Sequence, residues 1–284
     1  MFGLSTEAHK KHIHAVKNSI AKTLKNSKSE IDYLNFEDSC KKTTELFFGG
    51  MSIEEIDMHG SQYWAHVIID FVKSVNKMQS GSSVVRVFNP SIEDHHYENF
   101  NTVIQVSCQD MPFLVDSVAL ALTKHNVDME LMTHPVANVV RNESGVLNQI
   151  SDTHSTKESW MHIEINKIID TPKLNNLQME LELVINKVNA SVRDWKLMLS
   201  KMEQAKSELN VFDNSNVHAK QNKFIDWLLD DNFTFLGYQY YQEQTNDKTQ
   251  PLLANKDSAL GLFSSDAYLQ DIDNLINNQY KVHK

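Results

Sequence analysis

The chain has 284 residues, 41% apolar and 23% charged, an ordinary globular mixture long enough for about two domains. Its net charge of -10 argues against a protein that tracks nucleic-acid phosphates, which needs a concentrated Lys/Arg surface. Cys40 and Cys108 lack metal-type spacing, which argues against a disulfide framework or thiolate zinc. No stretch nears the roughly 20 apolar residues of a membrane span, so a cytoplasmic protein without a membrane partner is expected.

Residues 6–78 read as helical. Ile13, Val16, Ile20 and Leu24 recur at three and four, and Trp64, Val67, Ile68, Phe71, Val72 and Val75 do the same. Lys10, Lys11, Lys17, Lys22, Lys25 and Lys28 interleave with the first set as a solvated helix face. Gly49-Gly50 and Gly60 punctuate the region, and residues 80–83 look like a linker.

The period then becomes two. Residues 84–88 and 102–108 read as short strands, and a helix over 112–125 follows. Residues 127–140 form a long strand with an irregularity at Pro135, 142–145 a hairpin turn, and 146–150 the return. In 160–165 Met161, Ile163 and Ile165 alternate with Trp160, His162 and Glu164. A helix over 174–209, on the order of 45 to 50 Å long, outreaches the sheet beneath it. An amphipathic stretch at 224–229 and a strand at 233–241 then begin a further module that the last forty residues do not finish. The expected class is α+β: a helical region over 1–80, a sheet domain over 81–209 with helices on one face, and the start of another α/β module over 210–284.

Chemistry-bearing patterns are sparse. Eight glycines include no Gly-x-Gly pair, so neither dinucleotide fingerprint nor Walker loop can be written, and no cofactor site is expected in this stretch. His9, His12 and His14 share a helix without a matching carboxylate, and His95-His96 read as turn surface, so no metal site is expected. Ser117 has no nucleophile elbow, and Cys108 falls on the apolar phase of its strand. No catalytic residue stands out.

Two regions remain as effector or interface candidates. The first is the turn Asp110, Met111, Pro112, Phe113 with the helix after it: Asp110 is placed to cap the free amides, and Pro112 is tolerated in the first turn. In that helix Leu114, Val115, Val118, Ala119 and Leu122 can face the sheet. Leu120 and Ala121 share the outer side with Asp116, so a covering domain or subunit is expected there. The second is the sheet face of Val103, Gln105, Ser107, Trp160, His162 and Glu164, either a half-solvated sheet or a partner surface.

The order of strand, Asp-x-Pro turn, helix, hairpin and helix resembles the ferredoxin-like ACT regulatory module. Collinear segments are similar to the N-terminal region of the large bacterial NAD-specific glutamate dehydrogenases: VRVFNP at 85–90, DMPFLVDSV at 110–118, HPV at 134–136, ESWMHIEI at 158–165, VRDW at 192–195 and FTFLGY at 233–238. The resemblance implies a non-catalytic regulatory or assembly segment whose parent enzyme, in amino-acid catabolism, oxidises L-glutamate with NAD at a domain further along the polypeptide. Its implied partners are those downstream domains and further copies in a homo-oligomer. Effector-binding ACT modules commonly have Gly where Phe113 stands. Phe113 would crowd a small ligand, which favours assembly over an amino-acid effector. A free-standing enzyme using Asp110, His134, His162 or Glu164 is the remaining reading, and no nucleophile or cofactor loop accompanies those residues.

Overall fold

The computed structural model describes residues 7–26, 33–153, 155–212, 219–242 and 253–264; Lys28 and the last twenty residues lie outside them. The chain divides into two compact units, Met1–Ile185 and Asn186–Lys284. The expected boundary at residue 80 therefore falls inside the first unit, and the one at 209 inside the second.

Among the described residues of the first unit, four helices precede the sheet: α1 (Glu7–Asn26), α2 (Tyr33–Gly49), α3 (Ile53–Asp57) and α4 (Ser61–Val75). Ser52 and Glu55 form a reciprocal capping box at the start of α3. Helix α4 buries Trp64, Ala65, Val67, Ile68, Ile69, Phe71, Val72 and Val75, apolar almost all round, as a helix between two layers must be.

The sheet contains β1 (Val84–Phe88), β2 (Thr102–Gln109), β3 (Met129–Thr133), β4 (Val136–Arg141), β5 (Leu147–Ile150) and β6 (Thr156–Ile165), in the order β1-β2-β6-β4-β5 with β3 also on β6. All its pairings are antiparallel. The expected long strand is broken at His134-Pro135: β3 pairs with one end of β6 and β4 with the other. Proline cannot donate to the ladder, so the break falls where the sequence demands one. The short helix α5 (Ile92–His95) joins β1 to β2, and α6 (Leu114–Lys124) and α7 (Thr171–Phe212) follow β2 and β6.

Two apolar cores sandwich this sheet. Ile104, Val106, Cys108, Met161, Ile163 and Ile165 face α6 and α7, where they meet Leu114, Val118, Leu122, Leu177 and Leu181, as their alternation requires. On the other face α1, α2 and α4 contribute Val16, Ile20, Phe47, Phe48, Trp64 and Phe71, packed with Leu131, Ala137, Val139 and Trp160. The polar face is thus neither half-solvated nor open to a partner; the unit's own N-terminal helices cover it.

The order follows a βαββαβ plan with one permutation. That plan ends on a strand beside its first strand. Here that edge of β2 is occupied by β1, which comes earlier in the chain. Helix α7 is therefore not required to turn back into the sheet, and it runs for 42 residues, about 63 Å.

The described residues of the second unit comprise the end of α7, α8 (Ala219–Trp227) running into a kinked turn over Leu228–Asn232, and a hairpin of β7 (Gly237–Gln242) and β8 (Leu253–Gly261) closed by a 3-10 turn Leu262–Ser264. Two of the resemblance segments meet in it. Ser191 Oγ donates to Leu236 O at 3.0 Å, Trp195 lies 6.2 Å from Phe235, and Gly261 N donates to Asp194 Oδ2 at 2.8 Å. The Arg193 guanidinium, paired with Asp194 at 2.9 Å, lowers the pKa of that carboxyl, and the Gly261 amide adds to the effect.

Candidate functional site

The turn after β2 is built differently from the local reading. Asp110 does not cap the helix: its N–H donates to Lys157 O at 2.9 Å, extending the ladder with β6 by one residue. Helix α6 begins only at Leu114, after Phe113, whose φ of 67° is left-handed, and no side chain caps its first turn. A Cβ-bearing residue is strained there by roughly 1–2 kcal/mol. The backbone turn itself thus accounts for glycine's suitability at this position. Phe113 is 54% exposed. Because the helix starts late, its buried stripe is Leu114, Val118, Ala121 and Leu122, so Ala121 faces inward. Leu120 stands out at 71% exposure, beside Asp116 on the solvent side, while Met111 packs at the edge of the core.

The second candidate group is a polar seam under α4. Trp160, His162 and Glu164 are completely buried. On α4, Tyr63 and Asp70 are seven apart and so share one helical face, with the helix's C-terminal carbonyls further along it. Each of these meets a different polar group of the sheet.

At the start of α4, Tyr63 Oη donates to Glu164 Oε1 at 3.0 Å and accepts from Asn99 at 2.7 Å. Glu164 Oε1 also lies 3.4 Å from His162 Nε2 and 3.6 Å from His59 Nε2, and Asn101 donates to Oε2 at 3.4 Å. Burial alone would push the Glu164 carboxyl up. The hydrogen bond from His162 and the neighbouring donors His59 and Asn99 outweigh it and hold the group well below the usual carboxylate range. Burial, and next the charge of Glu164, push the Tyr63 hydroxyl far above its ordinary value. The His162 ring sits between Phe47 and Trp64, at 6.3 and 6.2 Å.

Midway, Arg86 pairs with both oxygens of Asp70, at 2.9 and 3.3 Å, and donates to Gln105 Oε1 at 2.7 Å, while Gln105 Nε2 returns to Asp70 at 3.1 Å. At the far end Arg141 grips Glu158 with two bonds, Nε to Oε1 at 2.6 Å and Nη2 to Oε2 at 2.9 Å. Its Nη1 donates to Val75 O and Gly145 O, both at 3.0 Å, so it also caps the C-terminus of α4. Trp160 Nε1 and Ser107 Oγ complete the shell of Glu158.

These groups do not form one reaction centre. Val103 pairs with Glu164, and Asp110 lies seven residues further along, roughly 20 Å at the rise of a strand. His134 is exposed at the break between β3 and β4. Among the described residues no group of three His, Cys, Asp or Glu side chains is arranged to hold a metal ion, and His12 instead approaches Asp57 at 3.3 Å. Burial pushes the Cys108 thiol up to about 12, aided by Glu158 and Asp110, and lifts Cys40 further. The sealed seam does structural work: it holds α4 on the sheet.

Sequence reasoning missed Tyr63, Asp70, Asn99, Arg86, Arg141 and Glu158. One signal was available: Glu158 continues the alternation of Trp160, His162 and Glu164 back by two residues. The α4 partners carry only a seven-residue spacing, which has no meaning until the helix is known to cross the sheet.

Comparison with known proteins finds similarity to one group of enzymes. Residues 43–181 match the family model described as glutamate dehydrogenase, ACT1 domain. The chain is 30% identical over 238 residues to the NAD-specific glutamate dehydrogenase of Halomonas elongata, an alignment covering 78% of this chain and 14% of that protein. It is 26% identical over 228 residues to the Pseudomonas aeruginosa protein of the same name, covering 77% and 14%. For the Mycobacterium tuberculosis counterpart the figures are 24% over 149 residues, covering 49% and 9%. The chain thus spans about a seventh of the length of the first two relatives, and over that stretch it is similar to these NAD-specific glutamate dehydrogenases.

Proposed function

We propose that this chain, with its match to the ACT1 domain model and its similarity to those enzymes, is a regulatory and assembly portion of a cytoplasmic NAD-dependent glutamate dehydrogenase. The parent would convert L-glutamate and NAD to 2-oxoglutarate, ammonia and NADH at a domain elsewhere in the same polypeptide. This portion would act through interfaces with downstream domains and other copies of the chain. The observation that carries the reading is the closure of the sheet. Its buried carboxylates and histidines are committed to holding α4, which leaves outer helix faces such as that of Leu120 to meet neighbours.

An amino-acid sensor is the second reading, favoured by one feature: the first turn of α6 has no side-chain cap, and a ligand carboxylate would suit its free amides. Light scattering on wild type and Leu120→Asp tests assembly; a lower mass for the variant is expected, and an unchanged mass counts against it. Calorimetry with amino acids at millimolar concentration tests sensing, and absence of heat removes that reading. The isolated chain should show no glutamate-dependent NAD reduction, and turnover would overturn the assignment.

A further inference from the structure

Residues 89–101, which join β1 to β2 by way of α5, are pinned where they leave and re-enter the sheet: Asn89 accepts from Thr102 Oγ1 at 2.7 Å and donates to Ile168 O at 2.9 Å. Between those points the connection leans on α4 and the seam beneath it. Tyr97 is buried against Tyr63 with rings 5.3 Å apart, Asn99 donates to Tyr63 Oη, and Asn101 donates to Glu164 Oε2. Other contacts run through histidines. His96 faces His66 of α4 with ring centroids 5.9 Å apart, and His95 stacks on Phe88 of β1 at 4.4 Å. His96 also closes α5 at a left-handed φ of 64°, so the turn is held under strain.

Two of these imidazoles serve as hydrogen-bond acceptors, which requires the neutral form. The Ser91 N–H donates to His95 Nδ1 at 3.2 Å, and the Gln62 amide, bonded also to Thr23 of α1, donates to His66 Nε2 at 2.9 Å. An imidazolium carries hydrogen on both nitrogens and accepts neither bond. The neighbouring carboxylates are engaged elsewhere: Asp70 with Arg86 and Gln105, and Asp94 with Ser91 Oγ, while Glu93 and Glu98 are exposed. Cations are near as well, with Arg86 over the Phe88 ring at 4.5 Å. Burial, and next His96 and Lys73, hold the His66 imidazole below its ordinary pKa. Burial lowers His95 too, opposed by Asp70 and Asp94 and aided by Arg86 and His96.

We propose that the β1–β2 connection is a proton-operated latch: uptake of protons by His95 and by the facing pair His66 and His96 loosens it from α4 and draws Asn99 and Asn101 out of the seam. Protonation breaks the Ser91 and Gln62 bonds and sets like charges against each other and against Lys73 and Arg86. The sign follows from the direction of the shifts. A histidine whose folded pKa lies below the unfolded 6.5 contributes fully above that pH, and its contribution is lost as the pH falls below it.

Hydrogen exchange of the whole chain, read by mass spectrometry at pH 7.5 and 5.5 and corrected for the intrinsic rate, tests the latch. Protection over residues 91–101 should fall about tenfold at pH 5.5, while that of β2 and α6 stays within about twofold. Glu164, held below 4.5, stays ionised across this range and does not contribute. H66Q/H95Q/H96Q should bring the ratio of the two protections near one, because glutamine accepts a hydrogen bond at either pH. H66Q/H96Q, which keeps the Ser91 bond to His95, should show a smaller response than wild type, and His134→Gln, outside the connection, the full one. Equal protection at the two pH values in wild type, an undiminished response in either connection variant, or a loss spread equally over β2 and α6 would overturn the proposal.

Discussion

Replacing Arg141 with Met tests whether the seam under α4 holds the first unit together. The Arg141 side chain is 11% exposed and that of Glu158 5%, so the substitution strands a buried carboxylate with only Trp160 Nε1 and Ser107 Oγ as donors. Removing one partner of a buried pair costs about 3–5 kcal/mol. For a unit of this size each kcal/mol lowers the melting temperature by about 2–4 °C, which gives a fall of about 6–20 °C. The double variant R141M/E158M removes both charges and should recover part of that loss. It should not recover all of it, because the Val75 carbonyl still loses its donor, at about 1–3 kcal/mol if left unsatisfied, while Gly145 O keeps the Met78 amide. Guanidinium unfolding followed by tryptophan fluorescence measures the cycle, with Trp160 inside the cluster as reporter. If the single losses simply add in the double variant to within about 0.5 kcal/mol, the two groups are uncoupled and the seam is not the clamp described.

Three further outcomes follow from the same geometry. Glu164 has a folded pKa below its unfolded value of 4.5, so its contribution is present above pH 4.5 and is lost as the pH falls through and below that value; Glu164→Gln should flatten the acid side of the stability profile in urea melts at pH 7, 5, 4 and 3, and a parallel profile would refute this. With burial raising both thiols, Cys40 and Cys108 should resist a disulfide reagent at pH 8 in the native chain and react together on unfolding, and fast native labelling would contradict their placement. Gly145→Ala should destabilise by at least about 2 kcal/mol, since its φ is 78° and a Cβ would stand 2.5 Å from Met78 O, whereas Phe113→Gly should change stability by less than about 1 kcal/mol because relief of a left-handed φ offsets modest lost burial; equal effects in thermal melts would show that backbone conformation does not govern these two turns.

The strands, the hairpin and the inward phase of β2 and β6 were legible because each depends on an alternation within one segment. The polar phase of those strands misled. Gln105, His162 and Glu164 read as one face of a half-solvated sheet or a partner surface, since a lone polar side chain is usually exposed, yet Gln105 and Glu164 find partners on a helix dozens of residues upstream and His162 packs between Phe47 and Trp64. The start of α6 failed for a related reason. Asp110 and Pro112 have the local chemistry of a helix start, but the Asp110 N–H is claimed by β6, and a tertiary ladder bond overrides a local preference. Of the residues singled out in sequence, Trp160, His162 and Glu164 lie buried under α4, while Phe113, Asp116 and Leu120 remain at the surface.

The permuted edge strand links these findings. Because β1 fills the place beside β2, the chain must enter the sheet from α4 through a short connection at residues 76–83, and α4 is thereby laid across the face opposite α6 and α7. An antiparallel sheet with one face free can leave polar side chains to water; once a helix is tethered over that face, every such group needs a protein partner or becomes a penalty. Tyr63, Asp70 and the end of α4 supply those partners at one-sided helical spacing, so the polar character of the face now selects where along the sheet the helix rests. A purely apolar face would grip α4 as strongly but would let it slide, whereas here displacement by one turn breaks the contacts of Tyr63 with Glu164, of Asp70 with Arg86 and of the Val75 carbonyl with Arg141 together.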